Sequence, residues 1–204
     1  MISEQEIDRF REIVWAVYAQ RGRVMPWRTD PSPYNVVVSE IMLQQTQVDR
    51  VLPKFLAWTE RWSDFDALSH ARTEEVLSTW QGLGYNRRAL WLKQLADNVV
   101  REHSGKLPDT LAALTAFKGI GPNTAGAILA YAFEQPVVFI ETNIRRVILH
   151  EFFPEQEEVS DKAIVPFVAA TLDREHPREW YWAMMDYGSE LAKLVVNPNR
   201  RSKH

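Results

Sequence analysis

The chain has 204 residues, 46% of them hydrophobic, a formal net charge of −3 and no cysteine. That length supports one domain with a sizeable core or two small lobes; the lack of cysteine excludes disulfides, a thiol nucleophile and cysteine-ligated zinc or iron–sulfur sites. The slight acidity leaves no global basic signature for nucleic acid, so any such face has to be a local patch or be built from backbone amides.

Ser3 and Glu6 form a capping box, and Ile7, Phe10, Val14, Val17 and Tyr18 follow at helical spacing. This predicts an amphipathic helix ending at Arg21-Gly22-Arg23. The amphipathic, acidic first twenty residues differ from a signal peptide, and no apolar run reaches membrane-spanning length, so a cytoplasmic protein is expected, nucleoid-associated if bacterial. Met25-Pro26-Trp27-Arg28 and Pro31-Ser32-Pro33 make a stiff, turn-rich connection and a first lobe boundary. Residues 36–44 read as a mostly buried helix carrying Glu40; the valines favour a strand, but the run that follows them is helical. Thr46 with Asp49 resembles another capped start. Val48, Val51, Leu52, Phe55 and Leu56 then give an apolar helix face, with Pro53 early in it.

Short helices are expected over 65–68 and 74–80, followed by the glycine turn Gln81-Gly82-Leu83-Gly84-Tyr85. Residues 87–102 predict a longer helix whose basic start opposes its dipole unless an anion lies nearby. A short helix after Leu107-Pro108 ends at Phe117. Helices follow at 143–152, 161–175 and 177–194, and the basic tail 197–204 is expected to fray. Five scattered histidines lack ligand spacing, and no metal site is predicted. With no strand pattern and no repeat, the class is all-α.

The stretch 117–150 organises the chain. Gly119-Ile120-Gly121 is a tight turn with an apolar plug between glycines, Pro122 suits a first helical position, and residues 125–131 propagate a helix. A glycine turn offering N–H groups at a helix N-terminus is an anion site. An isolated carboxylate, Glu141, follows at the mouth of the next helix. Phosphate gripping beside acid chemistry is the expectation.

Specific motifs carry a resemblance. Ser39-Glu40-Ile41-Met42-Leu43-Gln44-Gln45-Thr46-Gln47-Val48 resembles the signature of MutY-type adenine DNA glycosylases, and Trp80-Gln81-Gly82-Leu83-Gly84-Tyr85 resembles their WxGLGY turn. Gly119-Ile120-Gly121-Pro122-Asn123-Thr124-Ala125-Gly126-Ala127 resembles the hairpin of the helix-hairpin-helix (HhH-GPD) DNA glycosylase superfamily, and Ala183-Met184-Met185-Asp186-Tyr187-Gly188 its AMMDLG run. The resemblance implies a two-lobed all-α fold: a six-helix barrel lobe over 31–133 ending in the hairpin, and a second helical lobe from 1–30 plus 134–204, with the active site in the cleft at the hairpin. It implies a monomer acting on double-stranded DNA that carries a mismatch or lesion.

Three departures from the family pattern stand out. The four cysteines usual after the AMMDLG run are replaced by residues 191–198, so no iron–sulfur cluster is expected. Trp180, Trp182, Leu191, Leu194 and Val195 are the candidates to fasten that segment by apolar packing instead. The C-terminal domain that reads 8-oxoguanine in MutY proteins is not in this sequence, which leaves selectivity for that lesion open. The usual catalytic aspartate is Glu141, in Glu141-Thr142-Asn143.

Breaking an N-glycosidic bond builds positive charge on the sugar and negative charge on the leaving base, so one acid assists departure and one carboxylate stabilises the sugar cation or activates water. By resemblance Glu40 is the acid, its pKa raised by apolar neighbours. Glu141 takes the aspartate's role, its longer side chain folded back or the sugar held further away. Asn123 occupies the place of the lysine nucleophile of bifunctional relatives such as endonuclease III, and Arg145 stands where some MutY proteins carry a lysine. Neither forms a Schiff base, so a monofunctional DNA N-glycosylase without AP lyase activity is expected.

Gln44, Gln45 and Tyr85 match the family's insertion residues, which fill the gap left by a flipped base. Lys118, Gly119, Gly121 and Asn123 would grip a backbone phosphate, with Thr124, Asn143 and Arg145 adding contacts; Arg87, Arg88, Arg146, Arg200, Arg201 and Lys203 are further candidate charges. Carbonyls at such hairpins commonly hold a monovalent cation in the superfamily. Adenine in a mismatch is the leading substrate; thymine or uracil opposite guanine, or hypoxanthine, is the nearest alternative. A non-catalytic protein that binds mismatches or lesions is the alternative of another class.

Overall fold

The computed structural model describes residues 2–203, except for the side chain of Lys203; Met1 and His204, the end of the expected frayed tail, lie outside the described residues. The chain separates into two compact units, Val24–Phe133, and Met1–Arg23 together with Glu134–His204. The sequence reading starts the central unit at residue 31. In the structure it also takes in the short helix Pro26–Thr29, which packs on the helix that follows it.

The chain opens with α1 (Glu4–Arg21), held at its start by the Ser3–Glu6 capping box. The central unit follows as α2 (Pro26–Thr29), α3 (Pro33–Leu43), α4 (Val48–Arg61), α5 (Phe65–Ser69), α6 (Thr73–Trp80), α7 (Arg87–His103), α8 (Leu111–Thr115) and α9 (Pro122–Phe133). Helix α3 is its axis, packing on α4, α7 and α9. Its start is fixed by Pro33 in the first turn and by Ser32 Oγ, which accepts from the Asn35 amide. Val36, Val37, Val38, Ile41 and Met42 are all buried. Burial on all sides outweighs the β preference of three successive valines. An aromatic cluster fills the far end of the core. Trp58 meets Trp62 and Trp80 edge-on, and Tyr34 Oη donates to the Trp62 carbonyl while accepting from Trp58 Nε1. The Thr46–Asp49 cap expected for α4 does not form. The cap position is Gln47, with no side-chain cap bond, because Thr46 Oγ1 donates to the Gln44 and Leu83 carbonyls instead.

The other unit joins α1 to α10 (Thr142–Phe152), β1 (Val159–Ser160), α11 (Asp161–Thr171), α12 (Pro177–Leu194), a 3-10 turn at Pro198–Arg201 and β2 (Ser202–Lys203). Helix α12 is the centre of this unit, packing on both α1 and α10. Trp180 is fully buried against Phe10 and Trp15. Helix α11 stops at Thr171, short of the expected residue 175, because Arg11 of α1 caps it by donating to the carbonyls of Thr171 and Leu172.

The described part of the tail, residues 197–203, is ordered, not frayed. Arg201 donates to the carbonyls of Leu149 and Pro154 at the end of α10, Asn199 Nδ2 donates to the Thr142 carbonyl, and β2 pairs in parallel with β1. These two strands, each of two residues, are the only departure from an all-helical chain among the described residues. Trp180, Trp182 and Leu191 are buried, but Leu194 is 70% exposed and takes no part in fastening the segment.

Candidate functional site

In the central unit the hairpin runs from the end of α8 to the start of α9. Phe117 and Ile120 are buried, the Ile120 amide donates to the Phe117 carbonyl, and the Ala125 amide donates to the Gly121 carbonyl to close the first turn of α9. Gly119 has φ +84°, and a Cβ there would lie 2.6 Å from the Trp91 ring, so both conformation and space require glycine. Lys118, Gly121 and Asn123 are exposed and Thr124 is half-buried.

Two turns sit close to the hairpin. The first, after α3, holds Gln44 and Gln45; Gln44 Nε2 donates to the Gly119 carbonyl at 3.0 Å, tying this turn to the hairpin. Gln45 is exposed with φ +53°. The second, before α7, holds Tyr85, which is 57% exposed with φ +49°. A recess of about 120 Å³ is lined by Gln44, Gln45, Tyr85, Arg87, Arg88 and Trp91. Non-glycine residues at positive φ are uncommon and cluster where a side chain must be aimed. Glu40 lies in the last turn of α3, half-buried next to Ile41 and Met42.

The basic start of α7 resolves into two roles. Arg87 lies over the Trp91 ring. Arg88 is buried and turns back onto carbonyls at the C-terminal end of α3, where a helix presents its negative pole. Neutral backbone oxygens take the place of the expected anion. The dipole conflict is visible in the sequence, but this partner is not, because it lies more than forty residues away.

In the other unit, Glu141 is the N-cap of α10. Its carboxylate folds back and Oε2 accepts from the Asn143 amide at 2.8 Å. Glutamate is a weak N-cap by length, and the fold-back lets it act as an aspartate would. Burial pushes its pKa up, and the amides of Asn143 and Thr142 and the nearby Arg146 oppose that rise. Arg146 is itself buried, which pushes its pKa down while Glu141 pushes it up. Arg146 Nη1 donates to Asn143 Oδ1 and the Gly188 carbonyl, and Nε to Asn197 Oδ1. Asn143 thus caps the network beside Glu141. Helix α12 reaches it only because residue 188 is glycine: a Cβ there would lie 2.6 Å from Asn143.

Arg145 is placed differently from the expectation. It is buried within α10 and forms a two-pronged ion pair with Asp161 at 2.7–2.8 Å. A guanidinium spent in this way is not available to a phosphate. Arg201 is likewise used on carbonyls.

Among the described residues no group of three or more His, Asp or Glu side chains is arranged to hold a metal ion. Residues 191–198 are the end of α12, a short connection and the start of the 3-10 turn. No described helix is long and apolar enough to cross a membrane.

Comparison with known proteins agrees with this layout. The chain is 40% identical over 134 residues to an adenine DNA glycosylase of Mycobacterium tuberculosis, covering 65% of this chain and 44% of that one. It is 31% identical over 194 residues to the adenine DNA glycosylase of Buchnera aphidicola, covering 93% and 54%. The chain therefore spans about half the length of the curated relatives it matches. Its backbone is similar to a thermostable thymine-DNA glycosylase, with a TM-score of 0.79 at 22% identity over 91% of this chain and 87% of that one. The sequence profile described as HhH-GPD superfamily base excision DNA repair protein matches residues 38–164, more than half of the chain. The chain belongs to the HhH-GPD superfamily of base excision DNA repair proteins.

Proposed function

We propose that this protein is a monofunctional DNA glycosylase that flips a mispaired base out of double-stranded DNA and hydrolyses its N-glycosidic bond, with adenine in a mismatch as substrate. The observation that carries this reading is the fold-back of Glu141. It holds the carboxylate, which by sequence resemblance stands in for the family's aspartate, against the N-terminal amides of α10 and beside the buried Arg146. Similarity to two adenine DNA glycosylases supports the choice of base.

In this reading Glu40 gives its proton to the departing adenine, and the C1′–N9 bond breaks with its electron pair going to the base. Glu141, ionised, stabilises the positive sugar and takes a proton from the water that adds to C1′. The hairpin amides and Lys118, Gly119, Gly121, Asn123 and Thr124 hold a backbone phosphate. Gln45 and Tyr85 enter the stack, and Gln44 supports the hairpin through its bond to the Gly119 carbonyl. Asn143 positions Glu141. Asn123 offers no amine, so the strand is not cut.

The test is a panel of duplexes carrying A:G, A:8-oxoguanine, T:G, U:G and hypoxanthine pairs, each read before and after alkali. Release of adenine with breaks only after alkali is the expected result. Breaks without alkali that borohydride traps on the protein would remove the monofunctional assignment. Binding without base release from any duplex would point to a non-catalytic mismatch binder, and preferential release of thymine, uracil or hypoxanthine would reassign the base.

A further inference from the structure

Arg88 is 4% exposed, yet the groups it bonds are all neutral. Its Nη1 donates to the carbonyls of Ile41 at 2.9 Å, Met42 at 3.2 Å and Gln44 at 2.5 Å. Its Nη2 donates to Thr46 Oγ1 at 3.1 Å and the carbonyls of Leu83 at 3.1 Å and Gly84 at 3.2 Å. The guanidinium also faces the Trp80 and Tyr85 rings. A buried cation facing only dipoles is costly unless its geometry is used.

The choice of acceptors shows that use. The Gln44 carbonyl belongs to the peptide plane that leads into Gln45, and the Gly84 carbonyl to the plane that leads into Tyr85. These are the two exposed residues at the recess held at positive φ. Fixing the preceding peptide plane fixes the axis about which φ turns. One planar fork therefore pins both tips, from two turns about forty residues apart in sequence, and sets the spacing between them. Thr46 Oγ1 reinforces the link by also donating to Leu83 O across the two turns.

We propose that Arg88 is the positioning residue for base extrusion: it holds Gln45 and Tyr85 as a rigid pair for insertion into the duplex, and does not itself meet a phosphate. This rests on the glycosylase reading above. Lysine keeps the charge but presents one nitrogen where the fork presents several donors in a plane, so Arg88→Lys should release the tips without unpairing the charge altogether. Thr46→Val, nearly isosteric, should weaken the same link without opening the core.

The experiment compares wild type, Arg88→Lys, Thr46→Val, Tyr85→Ala and the Arg88→Lys/Tyr85→Ala double variant as full chains. Three readouts are used: amide hydrogen exchange; fluorescence of a duplex with 2-aminopurine, an adenine analogue, at the mismatch; and single-turnover release of adenine. Affinity for a fully matched duplex is the control. For Arg88→Lys, exchange over 44–46 and 83–86 should rise while that of α9 does not. The fluorescence increase and the release rate should fall about tenfold or more, and matched-duplex affinity should stay within about twofold because no phosphate contact is lost. Thr46→Val should move in the same direction by less. Adding Arg88→Lys to Tyr85→Ala should cost less than it does in wild type, since one of the held tips is already gone.

A lower melting temperature with unchanged turns and unchanged extrusion would make Arg88 an ordinary core residue and overturn the proposal. An undiminished Arg88→Lys effect in the Tyr85→Ala background would also overturn it. If wild type neither extrudes nor releases a base, the glycosylase reading itself fails, and the insertion role falls with it; the exchange pattern, which needs no activity, still decides whether Arg88 holds the two turns.

Discussion

Glu141 couples function to stability. Its folded-state pKa is raised above the ordinary 4.5 chiefly by burial, so the fold favours its neutral form. That contribution to stability is fully present below 4.5 and is lost as pH rises through the raised value; at neutral pH the ionised group is a net cost. Glu141→Gln should therefore raise Tm at neutral pH, with the gain shrinking to nothing as pH falls below 4.5, in thermal melts across that range. The same substitution should abolish base release while leaving mismatch-duplex affinity within about threefold, because it removes a group needed only as charge develops. In wild type, the acidic limb of the excision rate should lie above 4.5, since the proposed role uses the ionised form. The position of Glu141 was legible in the sequence as a lone acid at a helix mouth. Its fold-back and its partner Arg146 were not, because the latter depends on Gly188 and Asn197, which the chain supplies more than forty residues later.

Elements here end where distant side chains reach them. Helix α12 was readable to the residue from Pro177 onward, since its proline start and apolar stripe are local. The end of α11 was not readable, since Arg11 terminates it from the other end of the chain. The hairpin lies between these cases. Its glycines announce a turn, but the need for Gly119 comes from the Trp91 ring of α7. Gly119→Ala combines a positive φ with a 2.6 Å approach and should destabilise by about 1–3 kcal/mol, measured by urea unfolding. It should also weaken matched-duplex binding, because the turn presents the amides. Gly188→Ala should push α12 away from α10 at Asn143, and lower the release rate more than DNA affinity.

Across the whole molecule, the charge balance shapes how DNA would be held. The chain has 24 lysines and arginines against 27 acids, and Arg88, Arg145 and Arg146 are buried. Acids outnumber cations overall and the interior has taken three of the candidate arginines, so the proposed reading assigns much of the grip to backbone amides. The salt dependence of binding should accordingly be shallow. A plot of log affinity against log salt for a matched duplex should have a slope of about −2 to −4, corresponding to roughly two to four neutralised phosphates. The ordered tail contributes on the same scale: Arg201→Ala, by freeing the carbonyls of Leu149 and Pro154, should lower Tm by about 2–4 °C. Composition could indicate that DNA contact must be local; it could not say which arginines the interior had already taken.

The split of one unit across the chain gives the protein an order of assembly. Helix α1 emerges from the ribosome before the central unit, but its packing partners α11 and α12 are made only after that unit is complete. At ~5–20 residues per second that interval is several seconds or more. The central unit, continuous in sequence, can close during that time, while the apolar face of Phe10 and Val14 waits uncovered. The capping box at Ser3 and Glu6 supports a helix whose burial comes last.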